Sequence, residues 1–147
     1  MAHIRVATVI DAPPRTVWAS VREIAGHARW MEDAVAIRFT SLSRSGVGTT
    51  FECDTRVGPF RLTDVMEVTE WEDGRRLGIR HVGLVTGSGR FTLRRARGDR
   101  TRFTWEEKLR FPWWMGGPVG GAVGSQVLRR VWRRNLANLK RQVEAGA

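Results

Sequence analysis

Apolar and polar residues alternate with a period of two through most of this chain and switch to a helical period only in two places, near the start and at the end. Residues 3–10 (HIRVATVI), rich in β-branched types, predict a strand, which Asp11-Ala12-Pro13-Pro14 stops while opening a helix. Val17, Trp18, Val21 and Ile24 recur at helical spacing, Gly26 breaks the run, and 27–31 (HARWM) predict a second short helix, with Trp18 and Trp30 as core anchors. Six strand-like segments follow at short intervals: 34–42, 48–57, 60–71, 75–82, 87–97 and 101–111. Ser45-Gly46, Gly58-Pro59, Asp73-Gly74 and Gly98-Asp99 supply hairpin turn chemistry between them. Seven strands joined this tightly are mostly antiparallel.

The last stretch, 117–145, reads as one long amphipathic helix. At about 100° per residue, Leu128, Val131, Trp132, Leu136, Leu139 and Val143 share one half of its surface. Arg129, Arg130, Arg133, Arg134, Lys140 and Arg141 share the other, which predicts a solvated exterior. Pro118 suits the first helical position and Gly146 a stop. Gly121 and Gly124 fall on the inner arc with Leu128 and Asn135 but bring no side chains there. An interior glycine costs roughly 1 kcal/mol against alanine. Two readings account for that cost: room beneath the first turns, or close backbone packing at a frayed start.

Alternation also assigns strand faces. In the last strand Phe103, Trp105, Glu107, Leu109 and Phe111 point one way and Arg102, Thr104, Glu106, Lys108 and Arg110 the other. Phe91 and Leu93 oppose Arg90 and Arg94, and Leu77, Ile79 and His81 oppose Arg76 and Arg80. His81 and Glu107 are therefore polar groups on apolar inner faces. An inward Glu107 must be hydrogen-bonded or protonated, because a bare buried carboxylate is costly; the alternative is a rim position in water. His81 is either an acid, base or ligand donor, or a satisfied inward histidine near a strand end.

Composition narrows the setting. The 147 residues predict a single domain over 1–147, and 41% hydrophobic with 27% charged residues argues against disorder. Cys53 is the only cysteine, so no intrachain disulfide can form, and the first residues lack a signal-peptide layout; the expected compartment is the cytoplasm. The uncharged run 111–128 holds five glycines and two prolines, which predicts a loop plus a helix start and not a membrane span. A net charge of +10 is compatible with nucleic acid or an anionic membrane surface. The basic residues are nearly all arginine, scattered and mixed with acids, and no nucleic-acid-binding motif accompanies them, so nucleic-acid binding is not expected. The loop 111–117 (FPWWMGG) is expected to pack its tryptophans in the core, with a gate over a pocket and a peripheral membrane contact as the alternatives.

The element order, together with DAPPRTVWASVREIAGHARWM near the start, GRRLGIRHVG in the middle and TRFTWEEKLRF before the last helix, resembles the SRPBCC superfamily. This group holds START-like and birch-pollen-allergen-like proteins and polyketide cyclase/dehydrase and lipid transport relatives, and the resemblance covers nearly the whole chain. It implies an α+β helix-grip fold: a seven-stranded curved antiparallel sheet wrapped around a long C-terminal helix, with two short helices after the first strand. It also implies a cavity for an apolar ligand, which favours the room reading of Gly121 and Gly124.

Catalytic signatures are absent from the pattern. No nucleophile elbow, paired histidine spacing or phosphate-cradling glycine motif is present, so neither metal nor organic cofactor is expected. An apolar pocket with a few polar groups is the usual makeup of a small-molecule site. Its expected lining is Phe91, Phe103, Trp105, Glu107 and Leu109 with His81 from the sheet, and Gly121, Gly124, Leu128 and Asn135 from the helix. Asn135 either holds a ligand oxygen or bonds the backbone of the sheet. Two function classes follow: a carrier or sequestering protein for a small hydrophobic or lipid-like molecule, or a cofactor-free cyclase or dehydratase using His81, Glu107 and, as the weakest candidate, Asp64 as acid or base. A protein-interaction module is the third.

Overall fold

The computed structural model describes residues 1–146, the side chains at 118 and 119 excepted. Seven strands form one antiparallel sheet: β1 (Ala2–Ile10), β2 (Ala34–Phe39), β3 (Thr50–Val57), β4 (Phe60–Glu72), β5 (Arg76–Val82), β6 (Thr86–Ala96) and β7 (Arg100–Arg110). Their spatial order is β1-β7-β6-β5-β4-β3-β2, so every neighbour except the β1–β7 pair is joined by a direct connection. Helix α1 (Pro14–Val21) and a 3-10 helix (Ile24–Arg29) follow β1, and helix α2 (Gly117–Glu144) closes the described chain. This is the helix-grip arrangement: a sheet whose inner face holds one long helix.

Turn chemistry sets the hairpins. Gly58, at φ 58°, is the first of two residues between Val57 and Phe60, a conformation open to glycine at no steric cost, and Pro59 fits the second. Register shifts at Ala34/Ala36 in β2 and Val68/Glu70 in β4 mark bulges, which bend a sheet and let it curve around what it covers.

Three differences from the sequence reading have a visible physical cause. The break between the short helices comes at Glu23, whose ψ of 87° is not helical, so Ile24 and Gly26 both belong to the 3-10 helix, which ends at Arg29. β2 stops at Phe39 because the amides of Thr40 and Ser41 both turn onto the Thr50 carbonyl. The tryptophans of the β7–α2 loop do not pack in the core: a single 3-10 turn (Trp113–Met115) leaves Trp113 84% and Trp114 60% exposed.

α2 is two helices in energetic terms. Its second half buries Val131, Trp132, Leu136, Leu139 and Val143 against β1, α1 and β7, while Arg130, Arg133, Arg134 and Arg141 face solvent. Burial of a large apolar side chain is worth roughly 1.5–3 kcal/mol, so this half anchors the helix. None of the described residues from Gly117 to Arg130 is fully buried. A β-carbon built at Gly121 or Gly124 would meet nothing within 4 Å. The helix stands away from the sheet there.

Candidate functional site

Under that raised half lies a cavity of about 380 Å3. Its walls come from every strand but β1, through side chains such as Ile37, Phe51, Leu62, Ile79 and Leu109, and its roof from Gly124, Val127 and Leu128 of α2. Phe111 and Met115 line it from the β7–α2 loop, so this loop forms part of the wall although Trp113 and Trp114 turn outward.

One polar group is set into this apolar lining, and a glycine makes room for it. Glu107 on β7 pairs in register with Gly89 on β6, and His81 on β5 pairs with Gly87. β6 thus separates the two polar residues by two strand spacings, about 9.6 Å of backbone at 4.8 Å each. A side chain on β6 would stand between them. At Gly89 a β-carbon would fall 2.7 Å from both Cγ and Oε1 of Glu107, closer than such atoms approach, so the carboxylate occupies the space that glycine vacates. The His81 ring reaches across this gap and its Nε2 hydrogen-bonds Glu107 Oε1. Its Nδ1 lies 3.0 and 3.1 Å from the two carboxylate oxygens of Asp64 on β4. Trp105 donates its indole N–H to Glu107 Oε2 at 2.8 Å. Glu107 and His81 are 5% and 6% exposed, so the group is shielded from bulk water.

Electrostatics follow from these contacts. Burial by itself would lower the basicity of His81, but its hydrogen bonds to Asp64 and Glu107 and their charges more than offset it, and its pKa stands raised to about 10. His81 is therefore an imidazolium at neutral pH, donating from both nitrogens. His27, which also lines the cavity, behaves oppositely: burial lowers its pKa to about 4, only partly countered by its Nε2–H bond of 2.7 Å to the Val21 carbonyl. It is neutral.

Asp33 is a second polar point that pattern reading passed over. It is a buried member of the cavity lining, held by Asn135 Nδ2–H at 2.7 Å and by the Trp132 indole N–H at 3.3 Å. Burial raises its pKa, against the opposing effect of the Asn135 bond. Trp132 stacks on Trp105 with ring centroids 4.4 Å apart and planes 14° from parallel, so the two indoles lie together while their N–H groups serve different carboxylates. The Asp33 signal in sequence, one of two adjacent acids before a strand, is not distinguishable from a loop residue. Asp64 alternates with apolar Leu62 and Met66 on β4, a signal of the same kind as that of Glu107.

Of the residues expected to line a pocket, His81, Phe91, Trp105, Glu107, Leu109, Gly124 and Leu128 are brought together around this cavity. Three are not. Phe103 is fully buried in the aromatic core against Trp30 and Phe91, one layer behind the wall. Gly121 lies off the helix face that borders the cavity, which is formed by Gly120, Val123, Gly124, Val127 and Leu128, although open space lies beside it. Asn135 spends both ends of its amide on the segment before β2, accepting from the Glu32 N–H at 2.9 Å as well as donating to Asp33; it bonds neither a ligand position nor the sheet.

Among the described residues no group of three His, Cys, Asp or Glu side chains is arranged to hold a metal ion. The Asp64–His81–Glu107 line has no free imidazole lone pair, the first requirement of a histidine ligand. Chemically it can polarise or protonate a bound molecule, or accept hydrogen bonds from one. Among the described residues no helix is long and apolar enough to cross a membrane.

Solved structures share this architecture at low identity. A Thermus thermophilus protein superposes with a TM-score of 0.84 at 17% identity, covering 99% of each chain. A START superfamily protein from Mycobacterium smegmatis gives 0.82 at 11% identity, covering 100% of both chains. The Zhui aromatase/cyclase from Streptomyces sp. R1128 gives 0.78 at 16% identity, covering 97% of this chain and 93% of the other. At such identities these likenesses speak for the fold alone. No curated protein shows significant similarity to the chain. The family model described as polyketide cyclase/dehydrase and lipid transport, in contrast, matches residues 1–144, and on that match over nearly its whole length the chain belongs to this family.

Proposed function

We propose that this protein binds a small hydrophobic or lipid-like molecule in the cavity between sheet and α2, as a carrier or sequestering protein. The observation that carries this reading is the 380 Å3 space, walled by apolar side chains and roofed by a helix segment whose glycines keep it open. That volume is at the small end of the roughly 300–1,000 Å3 typical of ligand pockets. Binding requires nothing further.

A fluorescence titration with N-phenyl-1-naphthylamine, a neutral apolar dye, tests it: saturable binding at one dye per chain is expected, and native mass spectrometry of mildly purified protein should show a co-purifying small molecule. No saturable binding and no adduct would overturn the reading.

A second reading has its own support in the Asp64–His81–Glu107 line. A cyclase or dehydratase acting on a polyketide-like substrate needs a proton donor and acceptor inside an apolar cavity, and His81 with Glu107 offers that pair. Turnover of a poly-β-keto thioester, abolished in Glu107→Gln with dye binding retained, would establish the enzyme over the carrier.

A further inference from the structure

Resting on the ligand-cavity reading, an account of every polar side chain in the lining narrows the ligand's chemistry. The donors are committed. His81 uses both ring N–H groups on Asp64 and Glu107. Trp105 and Trp132 direct theirs to Glu107 and Asp33, and His27 gives its Nε2–H to Val21. Among the described residues Arg90 is the only arginine or lysine in the lining; it alternates with buried Gly89 and Phe91, so its side chain lies on the outer face of β6, 53% exposed, where its Nε bonds Glu70 at 2.8 Å. The remaining hydroxyl and thiol, of Thr55 and Cys53, lie within reach of each other and of neighbouring carbonyl oxygens.

Acceptors are left over. A carboxylate has about four lone-pair sites. Among the described residues Glu107 accepts two bonds, and Asp64 has only the one His81 N–H, shared between its oxygens. In neutral His27, with its proton on Nε2, Nδ1 accepts no bond among the described residues. Three carboxyl groups, Asp33, Asp64 and Glu107, line the space, and one imidazolium faces two of them. Among the described residues no lysine and no arginine other than the outward-facing Arg90 borders the cavity, so the chain's net charge of +10 sits on the exterior.

We infer that the ligand of this cavity is an apolar molecule ending in a hydrogen-bond donor, a hydroxyl or an ammonium group, and that carboxylates and phosphates are rejected. A donor head takes the spare lone pairs of Asp64 and Glu107 as its apolar body fills the space beneath Gly124. An anionic head meets acceptors with no donor to give it, against walls that are otherwise apolar.

Three probes of equal chain length decide this: decanol, decylamine and decanoate, each competing at neutral pH against N-phenyl-1-naphthylamine. Decanol and decylamine should displace the dye at concentrations at least tenfold below that of decanoate. Glu107→Gln and Asp64→Asn, each first shown to fold and with the dye's own affinity measured for each variant, should cut that ratio at least threefold; if either fails to fold, the parent's ratio decides alone. Decanoate competing as well as decanol would overturn the inference and leave the cavity reading standing, because all three then bind. An unchanged ratio in both folded variants would overturn the assignment to Asp64 and Glu107. Failure of the dye and all three probes to bind would sink the cavity reading itself.

Discussion

His81 is the residue whose state says most about the site. Burial disfavours its charge, yet its hydrogen bonds to Asp64 and Glu107 hold the pKa near 10 instead of 6.5. In the folded protein its ring should remain protonated through pH 8, with 15N shifts of two donating nitrogens. Glu107→Gln removes one of the two carboxylates and should bring the titration down toward neutrality. A His81 ring titrating near 6.5 in the parent protein would mean that the Asp64–His81–Glu107 line is not formed in solution. Gly89 is the partner residue in this argument: without its missing side chain, Glu107 has no place to lie beside the imidazole.

At the scale of elements, α2 divides its duties along its length. The second half is held by Trp132, Leu136 and Leu139, and the first is spaced off the sheet, with no atoms within 4 Å of a β-carbon at Gly124. Gly124→Leu should therefore enter free space and improve helix propensity by several tenths of a kcal/mol. The melting temperature is expected to stay level or rise, and binding of the apolar dye to be lost. Had the site been close-packed, overpacking would cost roughly 1–3 kcal/mol; a lowered melting temperature with undiminished dye binding would place the ligand elsewhere. The β7–α2 loop shows a related division, with Phe111 and Met115 in the cavity wall and Trp113 and Trp114 outside it.

For the molecule as a whole, the two buried histidines set opposite slopes of stability against pH. His81 has a folded pKa above its unfolded value of 6.5, so its stabilisation is complete below about pH 6.5 and is lost as pH rises toward 10. His27 has a folded pKa of about 4, below its unfolded value, so the folded state loses stability as pH falls from 6.5 to 4. Together they predict a stability maximum near pH 6.5, measurable as urea midpoints across pH 4–10. Replacing His27 by Gln should flatten the acid limb alone. A profile still climbing between pH 7 and 9 would contradict the His81 assignment.

Sequence by itself determined the elements and the faces they present. Period-two alternation ran through the strands, glycine and proline stood at the hairpins, and the six apolar positions of α2 fell on one arc, because these patterns act over a few residues and are written consecutively. Inward Glu107 and His81 were legible for the same reason, and so was the missing bulk at Gly124. Only tertiary structure decided what those inward groups meet. His81 and Glu107 lie 26 residues apart and are joined by the order β5-β6-β7 and by the space that Gly89 leaves on the strand between them. Asn135 turned to Asp33, 102 residues away, and not to a ligand position, because the segment before β2 passes beneath α2 at that turn. Periodicity fixes which way a side chain points; its partner depends on strand order and on which neighbours leave room, and those are properties of the assembled sheet.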